Sequence, residues 1–247
     1  MSALTKMTTI EAKLFAREPM AVFWGLAFPS LLLLLLGFAF PGGRVPSEDL
    51  GGFRLVDLYA PIVLFLALAT VAFATLPPLL AGYREMGLLR RLSTTPVGSR
   101  RLVGAQLLLQ VSVAFLAGLL ALAVAGLVFE IPMPGNIVGF VFSFFLAALS
   151  MLSVGLFIGA VAPSASSGQG IGMAVYFPML FFAGVYFPRD VMPEGMRRVS
   201  DFTPAGATVQ ALQDTWMGLA APGSSLLVMA AFALGFGLLA ALFFRWE

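Results

Sequence analysis

The sequence predicts an all-α integral membrane fold of six transmembrane helices, and three observations carry that expectation. Of 247 residues, 60% are hydrophobic and only 11% charged; mean hydropathy is +0.99; and the apolar residues gather into runs long enough to cross a hydrocarbon core of about 30 Å. A chain of this composition needs lipid as its solvent. It contains neither cysteine nor histidine, which removes thiol nucleophiles, disulfides, imidazole bases and the usual zinc and haem ligands. An intramembrane enzyme would need a nucleophile with a base, a metal site or paired carboxylates, and the apolar runs hold none of these.

The runs lie at roughly 20–40, 58–82, 102–129, 136–162, 169–188 and 222–244, within one transmembrane domain over 1–247 that leaves no room for a soluble one. The second, third and fourth exceed a perpendicular span, so tilt or extension is expected. Lys6, Glu11, Lys13, Arg17 and Glu18 interrupt the start, which therefore does not read as a cleaved signal peptide. At 100° per residue Leu4, Met7, Ile10, Leu14 and Phe15 share one side, with Lys6, Lys13 and Arg17 on an adjacent stripe. Residues 4–18 thus read either as a helix lying along the membrane surface or as a solvated basic segment, and Glu11, inside the apolar arc, counts against the first. Pro19 marks the turn into the first span.

Lys and Arg in short loops favour the cytoplasm. With both termini inside, the inner face receives Lys6, Lys13, Arg17, Arg84, Arg90, Arg91, Arg100, Arg101 and Arg245, and the outer face Arg44, Arg54, Arg189, Arg197 and Arg198. Nine against five selects this orientation, in a multi-pass protein of the cell (inner or plasma) membrane.

The most charged stretch lies between the second and third spans, from Tyr83 to Val97 and on to Arg100 and Arg101. Drawn as one helix it sets Met86, Leu88, Leu89 and Leu92 on a broad face, Arg84, Arg90 and Arg91 opposite, and Glu85 in the middle of the leucines, with Thr94, Thr95 and Pro96 as the stop. A soluble partner could seat the apolar face in a groove; equally, the cations could anchor a plain loop beside anionic lipid.

Other features exclude chemistry. A phosphate-cradling P-loop needs Gly-Lys-Ser/Thr, but the chain's two lysines, Lys6 and Lys13, do not follow glycine. Gly168, Gly170 and Gly172 open an apolar run with no strand before them, so they read as helix packing. The span interiors lack the ionisable residues that ion-coupled carriers use; Asp57 and Glu130 fall at outer ends. Thr70, Thr75, Gln106, Gln110, Ser143, Ser150 and Ser153 can join helices or face a path. Gly155 and Gly159 have the spacing for close helix approach, within a subunit or between two.

Arg84-Glu85-x-Gly87-x-Leu89-x-Arg91-Leu92-x-x-Thr95-Pro96 resembles the signature between spans two and three of ABC-2 type transporter permeases. Phe182-x-Gly184-x-Tyr186-Phe187-Pro188, Met192-Pro193 and Thr203-Pro204 resemble the same family's fifth span and the segment after it, so the likeness covers nearly the whole chain. The resemblance implies a six-helix permease that is not itself an enzyme. It pairs with a second copy or a homologue and works with a cytoplasmic ABC ATP-binding subunit, which binds ATP and Mg; no cofactor belongs to this chain and no nucleic acid is involved. It further implies a surface-lying N-terminal helix and a coupling helix in which Arg84, Glu85, Gly87, Leu89, Arg91 and Leu92 form the docking segment, Arg84 serving as an intrachain partner or lipid anchor. Tyr186, Phe187, Pro188, Pro193 and Pro204 fall in a possible outer gate: residues 189–221 are either a re-entrant helix pair or two helices lying flat.

The expected function is export of a hydrophobic, amphiphilic or lipid-linked substrate, its apolar character suggested by uncharged span interiors and by 24 phenylalanines. The alternative is a non-transporting membrane anchor for an ATPase in signalling or envelope remodelling.

Overall fold

The computed structural model describes residues 3–40, 43–47, 52–93, 99–186, 189 and 192–243. Thr94, Thr95, Pro96, Val97, Phe187, Pro188, Asp190 and Arg245 lie outside the described residues, as do the side chains of Leu89, Leu92 and Arg100. The described residues are helical and loop, without a strand: α1 (Ala3–Arg17), α2 (Pro19–Val22), α3 (Phe28–Ala39), α4 (Leu55–Ala69), α5 (Leu76–Glu85), α6 (Leu88–Ser93), α7 (Ser99–Phe129), α8 (Ile137–Val161), α9 (Ala165–Phe182), α10 (Glu194–Asp201), α11 (Pro204–Trp216) and α12 (Gly223–Phe243).

Five helices are long and apolar enough to cross a membrane: Pro19–Ala39, Leu55–Glu85, Arg101–Phe129, Ile137–Val161 and Gly223–Phe243. The fifth apolar run, expected over 169–188, is the shorter α9, an 18-residue helix whose first turns are Ser, Gly and Gln. Its ends are set locally. Ser164 and Ser167 form a reciprocal capping box at the start. At the end Gly184 takes φ +84°, with Gly184 N–H donating to Phe181 and Val185 N–H to Leu180, the paired bonds that close a helix on a left-handed glycine.

Two spans carry a π-helical turn, Phe23–Ala27 and Thr70–Thr75, each just ahead of proline: Pro29 in one, Pro77 and Pro78 in the other. Proline lacks the N–H that would return to the preceding turn, and the wider ring absorbs the clash. In the second span Leu76 N–H donates to Val71. The carbonyls of Ala72 and Phe73 then meet only prolines at the next positions, so the helix offers them no donor. Glycines fill that space. A Cβ on Gly155 of α8 would collide with the Ala72 oxygen, and one on Gly172 of α9 with the Phe73 oxygen. Gly155 therefore packs helices within the subunit, with its Cα–H facing a carbonyl that lacks a helical donor.

The second span is the axis of the bundle. Of its most apolar window 78% is buried, against 11% for α12, so α12 presents most of its surface outward while α4 and α5 are enclosed by α7, α8, α9 and α11. Thr70 Oγ1 pairs with Tyr176 Oη at 2.9 Å and ties α9 to the π turn. Ser143 and Ser150, one face of α8, are buried with no partner for either hydroxyl.

At one end of the bundle, three cations expected on the outer face are held locally. Arg54 caps α4, donating to Asp57 at 2.7 and 2.9 Å and to the Phe129 carbonyl at 2.9 Å, and the bond to Asp57 raises its pKa further above the ordinary value. Arg44 stacks 3.7 Å above the Phe38 ring. Arg189, only 8% exposed, donates to the Gly206 carbonyl and pairs with Asp201. These bonds hold α10 against α11. Thr203 caps α11 by accepting from Gly206 N–H at 3.1 Å, with Pro204 at the first position, where no N–H is needed.

Candidate functional site

The charged segment between the second and third spans is not the single helix that its pattern suggests. Helix α5 runs through Glu85, a turn at Met86 and Gly87 follows, and α6 restarts at Leu88. Gly87 has φ +67°, a left-handed backbone that costs an L-residue about 1–2 kcal/mol. Its N–H donates to Arg84 O at 2.8 Å, and its carbonyl accepts from Arg91 N–H at 3.1 Å. Glu85 therefore ends α5 and does not project from among the leucines of α6, which corrects the one-helix picture. Periodicity missed the break because it does not register backbone sign; the glycine was the available signal.

Arg84 and Glu85 both reach the turn between α8 and α9. The Arg84 guanidinium donates to the Ala160 carbonyl at 2.6 Å, in the last turn of α8, and Glu85 Oε2 accepts from Ala165 N–H at 2.9 Å, at the first residue of α9. The cation meets the negative end of one helix dipole and the anion the positive end of the next. Two adjacent residues thus clamp the start of the segment onto two helices. The backbone of Leu89 and Leu92 lies on α6 beside Arg90 and Arg91, both exposed.

The structure adds a cluster that sequence reasoning did not assemble. Glu11 of α1 is 8% exposed, and its Oε2 accepts from Tyr83 Oη and Gln106 Nε2, each at 2.8 Å. Gln106 Nε2 also lies 3.0 Å from Tyr83 Oη. The acid that sits badly in the apolar arc of α1 is thus the residue that joins it to α5 and α7, whereas Ile10 and Leu14 of the same arc stay exposed. The misplaced Glu11 was the signal; its partners are 72 and 95 residues away.

Of the residues expected near an outer gate, Tyr186 is half exposed and Pro193 exposed, while Pro204 is buried at the start of α11. The run from Pro204 to Val209 is buried throughout, and α11 packs against α4, α8, α9 and α12.

The ABC-2 type transporter family model matches residues 3–217, a region that takes in α1 to α11 and includes both the Glu11 cluster and the Arg84–Glu85 clamp. No curated protein gives a significant match. Permeases of this family carry no ATP-binding domain and generally work with a cytoplasmic ATP-binding subunit, often as dimers. Multi-pass apolar helices, a charged helical break between the second and third, and a family match over most of the length agree: the chain belongs to the ABC-2 type transporter family, as a membrane permease.

Proposed function

We propose that this permease is the membrane subunit of an ATP-driven exporter, moving a hydrophobic, amphiphilic or lipid-linked substrate out of the cytoplasm or inner leaflet. ATP and Mg are bound by a partner ABC subunit, and a second copy or a homologous permease completes the path. Helix α9 serves as the fifth of six spans, both termini face the cytoplasm, and α10 with α11 form a re-entrant pair. The burial of α11 among four helices supports that last point, because irregular backbone at membrane depth must be enclosed in protein.

The observation that carries the reading is the clamp of Arg84 and Glu85 on the α8–α9 turn. A subunit docked on α6, through Gly87, Leu89, Arg91 and Leu92, would push on a short lever fixed to two spans. An apolar cavity of 230 Å³ between α4, α7 and α8, lined by residues such as Leu64, Phe115, Leu119, Phe140 and Phe144, supports an apolar substrate.

Co-reconstitution with the ATP-binding subunit in vesicles tests the proposal. ATP-dependent movement of an amphiphile is expected, with both movement and subunit association lost on replacing Glu85 and Leu89 together. Hydrolysis without movement of any amphiphile would leave the membrane-anchor reading. Single cysteines, clean in a chain that has none, test orientation: one at Thr94 is expected to label only after permeabilisation, and one at Arg197 from outside.

A further inference from the structure

At the end of the bundle where Arg54 caps α4, a cavity of about 310 Å³ lies between α4, the α7–α8 connection and the last turn of α11. Pockets for small molecules run from about 300 to 1,000 Å³, with mostly apolar walls and a few placed polar groups. Leu58, Ile131 and Trp216 supply the apolar wall here, and Phe53 and Met217, both exposed, stand at the rim. Trp216 is held in place. Its indole N–H donates to the Pro132 carbonyl at 3.0 Å, and its ring stands nearly perpendicular to that of Phe140, with centroids 5.6 Å apart.

Three polar side chains line this cavity, Arg54, Asp57 and Gln213, and all three remain partly accessible. Arg54 and Asp57 pair with each other, 25% and 23% exposed. Their charges cancel within the cavity, so it calls for neither a cation nor an anion; Glu130, near enough to act on Arg54, does not line it. Of the five N–H groups of a guanidinium, Arg54 commits three to Asp57 and the Phe129 carbonyl, which leaves two. Gln213 is the uncommitted group. It is partly buried, and among the described residues its amide has no hydrogen-bond partner, whereas Gln210, one turn earlier on α11, accepts from Ser225 Oγ at 3.2 Å. An amide that both donates and accepts, beside spare N–H groups and an apolar wall, matches a ligand whose polar groups do both as well. Hydroxyls are such groups.

We propose that this cavity binds the neutral, hydroxyl-bearing headgroup of an amphiphile. One hydroxyl donates to the Gln213 carbonyl oxygen, its neighbour accepts from the Gln213 amide nitrogen or from Arg54, and the first carbons of the chain lie along Leu58 and Trp216. An ammonium would compete with Arg54 for Asp57, and a carboxylate with Asp57 for Arg54, so either charge breaks the pair that caps α4. That the amphiphile is cargo, and that the site opens on the outer side, rest on the export reading above; the binding does not, and it is measured without the ATP-binding subunit.

The test is native mass spectrometry of the full chain in lauryldimethylamine oxide, a detergent without hydroxyls, with monooleoylglycerol, methyl oleate, oleylamine or oleic acid. Monooleoylglycerol is expected to bind about tenfold more tightly than methyl oleate, as two neutral hydrogen bonds would give, and Gln213→Leu to lower that ratio to about twofold. Because the Gln213 amide has no partner in the described fold, the variant keeps its thermal stability. Met217→Cys, at the rim of a chain that has no cysteine, gives a second readout: monooleoylglycerol slows its labelling by a maleimide and methyl oleate does not. Octyl glucoside that protects as well shows that adjacent hydroxyls suffice, whereas protection by monooleoylglycerol alone assigns the site to a glyceryl head. Equal binding of monooleoylglycerol and methyl oleate, tighter binding of oleylamine or oleic acid, or an unchanged ratio in Gln213→Leu overturns the proposal. Loss of ATP-driven movement with this binding intact counts against the export reading and not against the site.

Discussion

The Glu85 carboxylate accepts a 2.9 Å hydrogen bond from the backbone N–H of Ala165, so the last residue of α5 caps the first turn of α9. An anion at a helix N-terminus contributes about 0.3–1 kcal/mol when exposed, and Glu85 is exposed. Glu85→Ala should therefore cost only that much in thermal unfolding, while hydrogen exchange at Ala165 rises several-fold. Unchanged exchange there would mean that the cap is not formed in solution.

At Gly87 the constraint is backbone sign alone. No atom lies within 4 Å of where a Cβ would stand, yet φ is +67°. Gly87→Ala should destabilise by about 1–2 kcal/mol, and Gly87→Asn by less, since asparagine tolerates the left-handed region. Equal losses for the two variants would show that space, not conformation, decides.

Glycines of α8 and α9 should respond with opposite signs. Gly155→Ala drives a methyl into the Ala72 carbonyl, a backbone atom that cannot step aside, and overpacking of this kind costs about 1–3 kcal/mol or more. Gly170 lies in α9 with open space around it, so Gly170→Ala should stabilise by up to about 1 kcal/mol through helix propensity. Melting of both variants in detergent checks the pair. A neutral Gly155→Ala would contradict the contact.

In the Arg189–Asp201 pair the two partners are unequally buried, 8% and 43% exposed. Asp201→Ala strands a cation away from water, whereas Arg189→Met keeps the packing and leaves an acid that water can reach. Losing the partner of a buried charge costs about 3–5 kcal/mol at full burial. Asp201→Ala should therefore be the more damaging variant in thermal unfolding. The reverse order would contradict the burial of Arg189.

The sequence made the membrane class and most of the bundle legible because apolar run length reports directly on bilayer thickness. Runs 102–129 and 136–162 match α7 and α8 within a few residues, apart from the first turn of α7. The fifth run was overextended: hydropathy continued through Val185 and Tyr186, but the helix closes on the left-handed Gly184. The docking segment was legible as charge and as motif, not as geometry. Gly87 breaks the helix that a 100° projection assumes to be continuous, and the partners of Arg84 and Glu85 at Ala160 and Ala165 are backbone atoms, which side-chain patterning does not record. Glu11 was visible as an anomaly, whereas its link to Tyr83 and Gln106 depends on tertiary packing.

Cysteine cross-linking from α6 tests the central claim, that the segment after the Arg84–Glu85 clamp docks an ATP-binding subunit. With single cysteines at Arg90 and Arg91, both exposed, and at Glu194 on α10, the assembled complex should cross-link to the ATP-binding subunit from α6 and not from α10. Cross-links from Glu194, or none from either α6 position in a complex that hydrolyses ATP, would contradict the account.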